Sequence, residues 1–261
     1  MHTVPRAAVR SLVGAVLLAG IAWYAGTPPA AARDLPVARS FDGLPVVGAL
    51  FPAEGGAHTC TATVVHSPRH DLLLTAGHCV AGTGAGLHFV PMLERGRAPY
   101  GTWTVVAVHA DPRWVADQDP RADYAFLTVA PRDEGGREVR IEDVVGARPV
   151  AVWAAYPRRA VVVGYPAAAD DDRPVTCTTR TYSHDGYPAF DCDGYTEGTS
   201  GGPWFTRDGA VFGVIGGPHQ GGCVAWTSYS SRFGSGVAVA YLRAVLGLPG
   251  DVLPEPGGDG C

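Results

Sequence analysis

Gly198-Thr199-Ser200-Gly201-Gly202-Pro203 is the stretch that decides how this chain is read. A serine hydroxyl is a weak nucleophile until a base takes its proton and donors meet the oxyanion its attack creates. Flanking glycines let backbone N–H groups crowd close to such an oxyanion. Alone, a Ser-Gly-Gly turn is ordinary loop chemistry. Two further stretches change its reading. Leu74-Thr75-Ala76-Gly77-His78-Cys79 offers an imidazole base, and Asp123-Tyr124-Ala125-Phe126-Leu127 offers a carboxylate to orient it. The chain order is His78, Asp123, Ser200. Asp111, Asp117 and Asp119 compete for the acid's role, but they lie in a polar, Pro-bearing stretch. Asp123 opens an apolar strand, the setting that shields a carboxylate–histidine bond from water.

Around these motifs the pattern is that of short strands. Thr61 to His66 is rich in β-branched residues, and Asp71 to Thr75 runs apolar into the histidine motif. Trp103 to Val108, Tyr124 to Val129, Ala160 to Val163 and Cys177 to Tyr182 read the same way. Trp204-Phe205-Thr206 and Val211-Phe212-Gly213 flank an Asp208-Gly209 turn, a strong hairpin signal. Residues 131–147 are charged and glycine-bearing, which suits a link between two halves or a solvated hairpin. Asp170-Asp171-Asp172 reads as a solvated acidic turn rather than a calcium site. Only Val237 to Leu246 has helical spacing, with Val239, Leu242, Val245 and Leu246 on one face. Many short strands and little helix imply an all-β fold of barrels or a sandwich.

Composition sets the class. In 261 residues, 46% are hydrophobic, 17% are charged, and there are 35 Gly and 22 Pro, enough for a sizeable core with many turns. The net charge of −5 provides no basic surface for nucleic acid. Every cationic residue is Arg, and Lys and Asn are absent, a bias we ascribe to a GC-rich genome. Residues 1–32 have the form of a secretory signal: Arg6 and Arg10, an apolar run from Ser11 to Ala25, and Ala30-Ala31-Ala32 before Arg33. That run is shorter than the ~20 residues of a spanning helix, which favours cleavage over a retained anchor. An oxidising compartment permits disulfides, and the six cysteines are even in number. Proximity pairs Cys60 with Cys79 and Cys177 with Cys192, and elimination leaves Cys223 with Cys261. No C-x-x-C or H-E-x-x-H occurs, so no metal is expected.

With Thr75 to Cys79, Asp123 to Leu127 and Gly198 to Pro203 in hand, the chain resembles the chymotrypsin-like (trypsin-fold) serine peptidases, in the style of secreted bacterial members. The resemblance runs from about Val46 to Leu248. It implies two six-stranded antiparallel β-barrels with the active site between them and a short C-terminal helix. The domain reading that follows is a spacer or short propeptide at 33–45, a first barrel at 46–140 carrying His78 and Asp123, a second barrel at 141–248 carrying Ser200, and a flexible tail at 249–261. It further implies an oxyanion hole from the N–H groups of Gly198 and Ser200, a disulfide holding the histidine loop, polypeptide substrates, a monomer and no cofactor. Gly194 stands six residues before Ser200, where the family floors its primary pocket. Asp191, Asp193 and Glu197 are nearby acids that reach towards that pocket if the loop is built differently. Ile215, Gly216, Gly217 and His219 are read as its wall and rim. Thr199 departs from the trypsin type, which has an aspartate there to pair with a freed N-terminal amine. The rival reading is a protease-fold binding protein that has lost turnover, although His78, Asp123 and Ser200 are all kept.

Overall fold

Strand β1 spans Arg39–Ser40, β2 Val47–Phe51, β3 Cys60–Val65, β4 Leu72–Thr75, β5 His88–Pro91, β6 Trp103–Ala110 and β7 Ala125–Val129 in the computed structural model. The structure describes residues 1–2, 35–167, 171–258 and 260–261. Residues 3–32 of the stretch read as a secretory signal, and Asp170, therefore lie outside the described residues. Strands β2 to β7 close into a six-stranded antiparallel barrel in the order β2-β3-β4-β7-β6-β5. Leu72, Leu73 and Leu74 are consecutive and all fully buried. A strand alternates its side chains between two faces, so both faces of β4 are covered. Leu50, Phe89, Trp103 and Phe126 complete that core.

The short β8 (Arg132–Asp133) and β9 (Glu138–Val139) pair as a hairpin, so residues 131–147 contain structure of their own. Helix α1 (Pro112–Asp117) precedes β7, and helix α2 (Ile141–Val145) follows β9. The second half holds β10 (Arg159–Gly164), β11 (Val175–Arg180), β12 (Tyr182–His184), β13 (Tyr187–Asp191), β14 (Pro203–Phe205), β15 (Val211–Val214) and β16 (Thr227–Tyr229). It is built as a five-stranded sheet, β1-β11-β10-β14-β15, and a three-stranded sheet, β12-β13-β16. The Cys177–Cys192 disulfide joins them. Between them Phe190, Trp204 and Phe212 pack edge to face, with centroids 5.0 and 6.2 Å apart. Strands β14 and β15 form the hairpin expected around Asp208-Gly209.

Three readings need correction. The apolar face expected on the C-terminal helix points outward. In α3 (Ser235–Val245) the buried residues are Val237, Ala240 and Ala244, whereas Val239 and Leu242 are about half exposed at 51% and 52%. Small alanines let the helix sit close to β6 and β7, and hydropathy alone ranks leucine above them. Order also begins well before Val46. Strand β1 pairs with β11, Val37 bridges to Asp193, and the Ala38 N–H donates to the Asp193 carbonyl at 2.8 Å. Finally, the described residues of 249–261 are tied down. Gly82 and Leu253 exchange backbone hydrogen bonds of 3.0 and 2.7 Å, and Cys261 is bonded to Cys223. The structure also pairs Cys60 with Cys79.

Candidate active site

Antiparallel pairing brings the base and the acid together. Thr75, the last residue of β4, lies opposite Ala125, the first of β7. His78 follows Thr75 on a 3₁₀ turn at Gly77–Cys79, and Asp123 precedes β7 at the end of a 3₁₀ turn at Pro120–Ala122. The two side chains therefore emerge at the same end of adjacent strands. Gly77 lets this turn rest on the ring of Trp114, since a Cβ there would lie 2.7 Å from the indole. The Cys60–Cys79 disulfide pins the turn to β3.

Asp123 is fully buried and accepts three N–H groups. Its Oδ1 accepts the His78 backbone N–H at 2.9 Å, and its Oδ2 accepts His78 Nδ1–H at 2.8 Å and the Gly217 N–H at 2.7 Å. An ionised carboxylate can only accept, so Nδ1 carries the proton in the neutral imidazole. Nε2 is thereby left with its lone pair, the form a general base requires. That Nε2 is buried and, among the described residues, has no hydrogen-bond partner. Ser200 Oγ is not hydrogen-bonded to it here. Nucleophile–base contacts of this kind are often loose without substrate and tighten when it binds.

Ser200 comes from the second half, just ahead of β14. Thr61, on β3, locks its loop to the first half. The Thr61 N–H donates to the Ser200 carbonyl at 2.7 Å, and its Oγ1 donates to the Gly198 carbonyl at 2.9 Å while accepting the Tyr165 N–H at 2.8 Å. Thr75 Oγ1 closes the set on the Thr61 carbonyl at 2.8 Å. Gly198 has φ +88°, and a Cβ on it would lie 2.5 Å from the Ala167 nitrogen. Within the described residues no hydrogen bond uses the N–H of Gly198 or of Ser200. Two donors are thus left uncommitted beside the serine. His78, Gly198 and Ser200 line one cavity of about 850 Å³, a size typical of ligand sites.

The expected pocket residues divide. Ile215 and His219 line this cavity, as does Glu197. Gly194 does not; it is backed by Ala38, and its N–H donates to the Ala225 carbonyl at 3.2 Å. Gly216 and Gly217 do not line it either. Both are buried against Asp123, where Gly217 supplies an N–H and a Cβ on Gly216 would sit 2.9 Å from Oδ2. Asp191 is occupied by Tyr182 and Thr227, and neither Asp191 nor Asp193 lines the cavity. The cavity wall instead includes Glu54, His58, Thr196, Ala225 and Ser228. Burial holds the His58 imidazole below its ordinary pKa, against smaller opposing effects of the Tyr165 carbonyl and Asp172. Ser231, which no sequence motif marks, supports the acid: its Oγ accepts the Asp123 N–H at 3.0 Å and donates to the Pro120 carbonyl at 2.8 Å. Thr199, buried, donates to the Thr196 carbonyl at 2.7 Å and has no charge to offer an amine.

Residues 60–214, more than half of the chain, match the trypsin-like peptidase domain, and the chain belongs to that family. Among solved structures it is similar to the protease Anisep from Arthrobacter nicotinovorans, at 28% identity over 80% of this chain and 100% of that one, with a TM-score of 0.70. The thermostable serine protease AL20 from an extremophilic microorganism is 26% identical over 77% of this chain and 97% of that one, with a TM-score of 0.66. A Glu endopeptidase shares the fold at 15% identity, covering 81% of this chain and 97% of that one, with a TM-score of 0.64. Comparison with curated proteins gave no match. The fold is thus the two-barrel, chymotrypsin-like one of the serine peptidases. Among the described residues no helix is long and apolar enough to cross a membrane.

Proposed function

We propose that the protein is a secreted serine endopeptidase that cleaves polypeptides through Ser200, His78 and Asp123. One observation carries the reading. Asp123 fixes the proton on His78 Nδ1 and leaves Nε2 buried and, among the described residues, unpartnered, on the cavity that Ser200 shares. In the proposed reaction Ser200 Oγ attacks the scissile carbonyl carbon as its proton passes to Nε2. The carbonyl oxygen becomes an oxyanion, which the N–H groups of Gly198 and Ser200 receive. Collapse breaks the C–N bond, and the leaving amine takes the proton from Nε2. The acyl group remains as an ester on Oγ. Water then attacks that ester, giving its proton to Nε2, and Ser200 Oγ leaves with it. Asp123 stays ionised throughout and stabilises the imidazolium.

Ile215 and His219 are the pocket residues retained in this reading. Secretion is supported by the signal-like residues 1–32 and by three disulfides, which persist in oxidising compartments. The test is incubation with a reduced, alkylated protein, followed by mass analysis of the fragments. Internal cleavage is expected, with Ser200→Ala slower by about 10⁶-fold. Cleavage that survives in the alanine variant would sink the reading.

A further inference from the structure

The described residues of 249–261 run along the wall of the cavity that holds His78 and Ser200, and their partners change from the first half to the second along the way. The first part of the segment is bound to the first half and α3. The Asp251 N–H donates to the Val108 carbonyl at 2.8 Å, while its carboxylate accepts from the Ala110 N–H at 2.9 Å and from Arg243 at 2.6 Å. Leu253 is buried in the first core and bonded both ways to Gly82. Gln118 then grips the chain with both ends of its amide. Its Nε2 donates to the Glu255 carbonyl at 3.0 Å, and its Oε1 accepts the Gly257 N–H at 2.9 Å. From Gly257 the contacts pass to the second half. Gln220 Nε2 donates to the Gly257 carbonyl at 2.6 Å, and Cys261 is bonded to Cys223. Pro256 and Cys261 form part of the wall of the cavity that holds His78 and Ser200.

The loop reached by this segment is one that needs holding. His219 and Gln220 have φ of 53° and 51°, between Gly217 at 86° and Gly221 and Gly222 at 118° and 130°. Non-glycine residues persist in this region only where the surroundings over-determine them. The Gln220–Gly257 bond and the Cys223–Cys261 link are such surroundings. The segment therefore ties the two halves together beside the cavity and braces one of its walls.

We infer that 249–261 is a specificity strap, one that admits a single extended polypeptide and excludes chain already closed into a loop. This rests on the proposed peptidase activity. An extended strand needs a slot of about 5 by 10 Å, and a loop needs room for two chains side by side. A strap tied at both ends provides the first and denies the second.

The test uses three substrates: a small activated ester, a linear peptide containing a cleaved site, and the same peptide closed by a disulfide. The full chain is compared with Gln118→Ala and with Asp251→Ala, each of which loosens the strap outside the cavity while keeping its disulfide. The unaltered chain should cut the linear peptide at least about tenfold faster than the closed one. Either variant should shrink that ratio at least about threefold, with ester hydrolysis within about twofold of the unaltered chain. Equal rates on both peptides, or a ratio that neither variant moves, would overturn the strap. A drop in ester hydrolysis that matches the change on both peptides would show a structural role instead, and would also overturn it. Failure of the unaltered chain on all three substrates would overturn the peptidase reading itself.

Discussion

At the residue scale, Asp123 carries most of the geometry. It accepts from two atoms of His78 and from Gly217, so one carboxylate aligns the imidazole and the loop after β15 in the opposite half. Asparagine keeps the size but has only one accepting atom, and its NH₂ would face donors. Asp123→Asn should lower kcat by about 10⁴-fold, the size of effect seen for this change in a serine-protease triad, with KM little altered. Steady-state ester hydrolysis would check it, and a loss below about tenfold would contradict the orienting role. Gly198 is equally constrained. Alanine at φ +88° is strained, and its Cβ would strike the Ala167 nitrogen and the Tyr165 carbonyl. Gly198→Ala should reduce kcat/KM by about 100-fold or more, as loss of an oxyanion donor does, and should lower the Tm. The roles proposed for His78, Asp123 and Ser200 are legible as motifs in the sequence because each asks for a particular side chain. The third donor on Asp123 is not, because a backbone N–H belongs to no residue type in particular. The lack of a side chain that suits Gly216 and Gly217 to a pocket wall is what lets them lie against Asp123 instead.

At the element scale, helix α1 forms the bed beneath the histidine turn. Asp111 caps it, accepting the Arg113 N–H, and it also holds the Arg113 guanidinium and the Tyr124 hydroxyl. Burial alone would raise the Asp111 pKa, but the hydrogen bonds from Arg113 and Tyr124 outweigh it and hold the carboxyl below its ordinary value. A depressed carboxyl stabilises the fold above its unfolded pKa of about 4, and that contribution is lost as pH falls through the lower folded value. Thermal melts between pH 7 and pH 2 should therefore show Asp111→Asn less stable at neutral pH, with a shallower acid limb than the unaltered chain. Parallel limbs would contradict the assignment. Strands were legible where β-branched or leucine runs gave them away, as at β3 and β4. The two-residue β1 carried no periodic signal. In α3, the buried face was misread because alanines chosen for close approach look less hydrophobic than the exposed leucines beside them.

At the scale of the whole molecule, two terminal segments complete a fold whose centre the motifs had already announced. Before Val46, residues 36–40 add a strand to the second half and back Gly194 through Ala38. A spacer-like composition, with Pro36 and Pro45, concealed this, since such pairing depends on distant partners rather than on local pattern. A chain starting at Leu35 should match the longer one in activity, because Thr199 offers no carboxylate for a new amine to find. A chain starting at Val46 should lose β1 and melt several degrees lower. Scanning calorimetry with activity assays would tell, and equal Tm values would contradict a structural role for 35–45. All of this serves the meeting of two halves, for which Thr61 supplies three of the bonds around the serine loop. The most direct measurement is covalent trapping. Treated with an activated organophosphonate, the protein should gain the mass of one phosphonyl group, mapped to Ser200, and His78→Ala should gain almost none. No adduct, or an adduct that forms as fast without His78, would contradict the account.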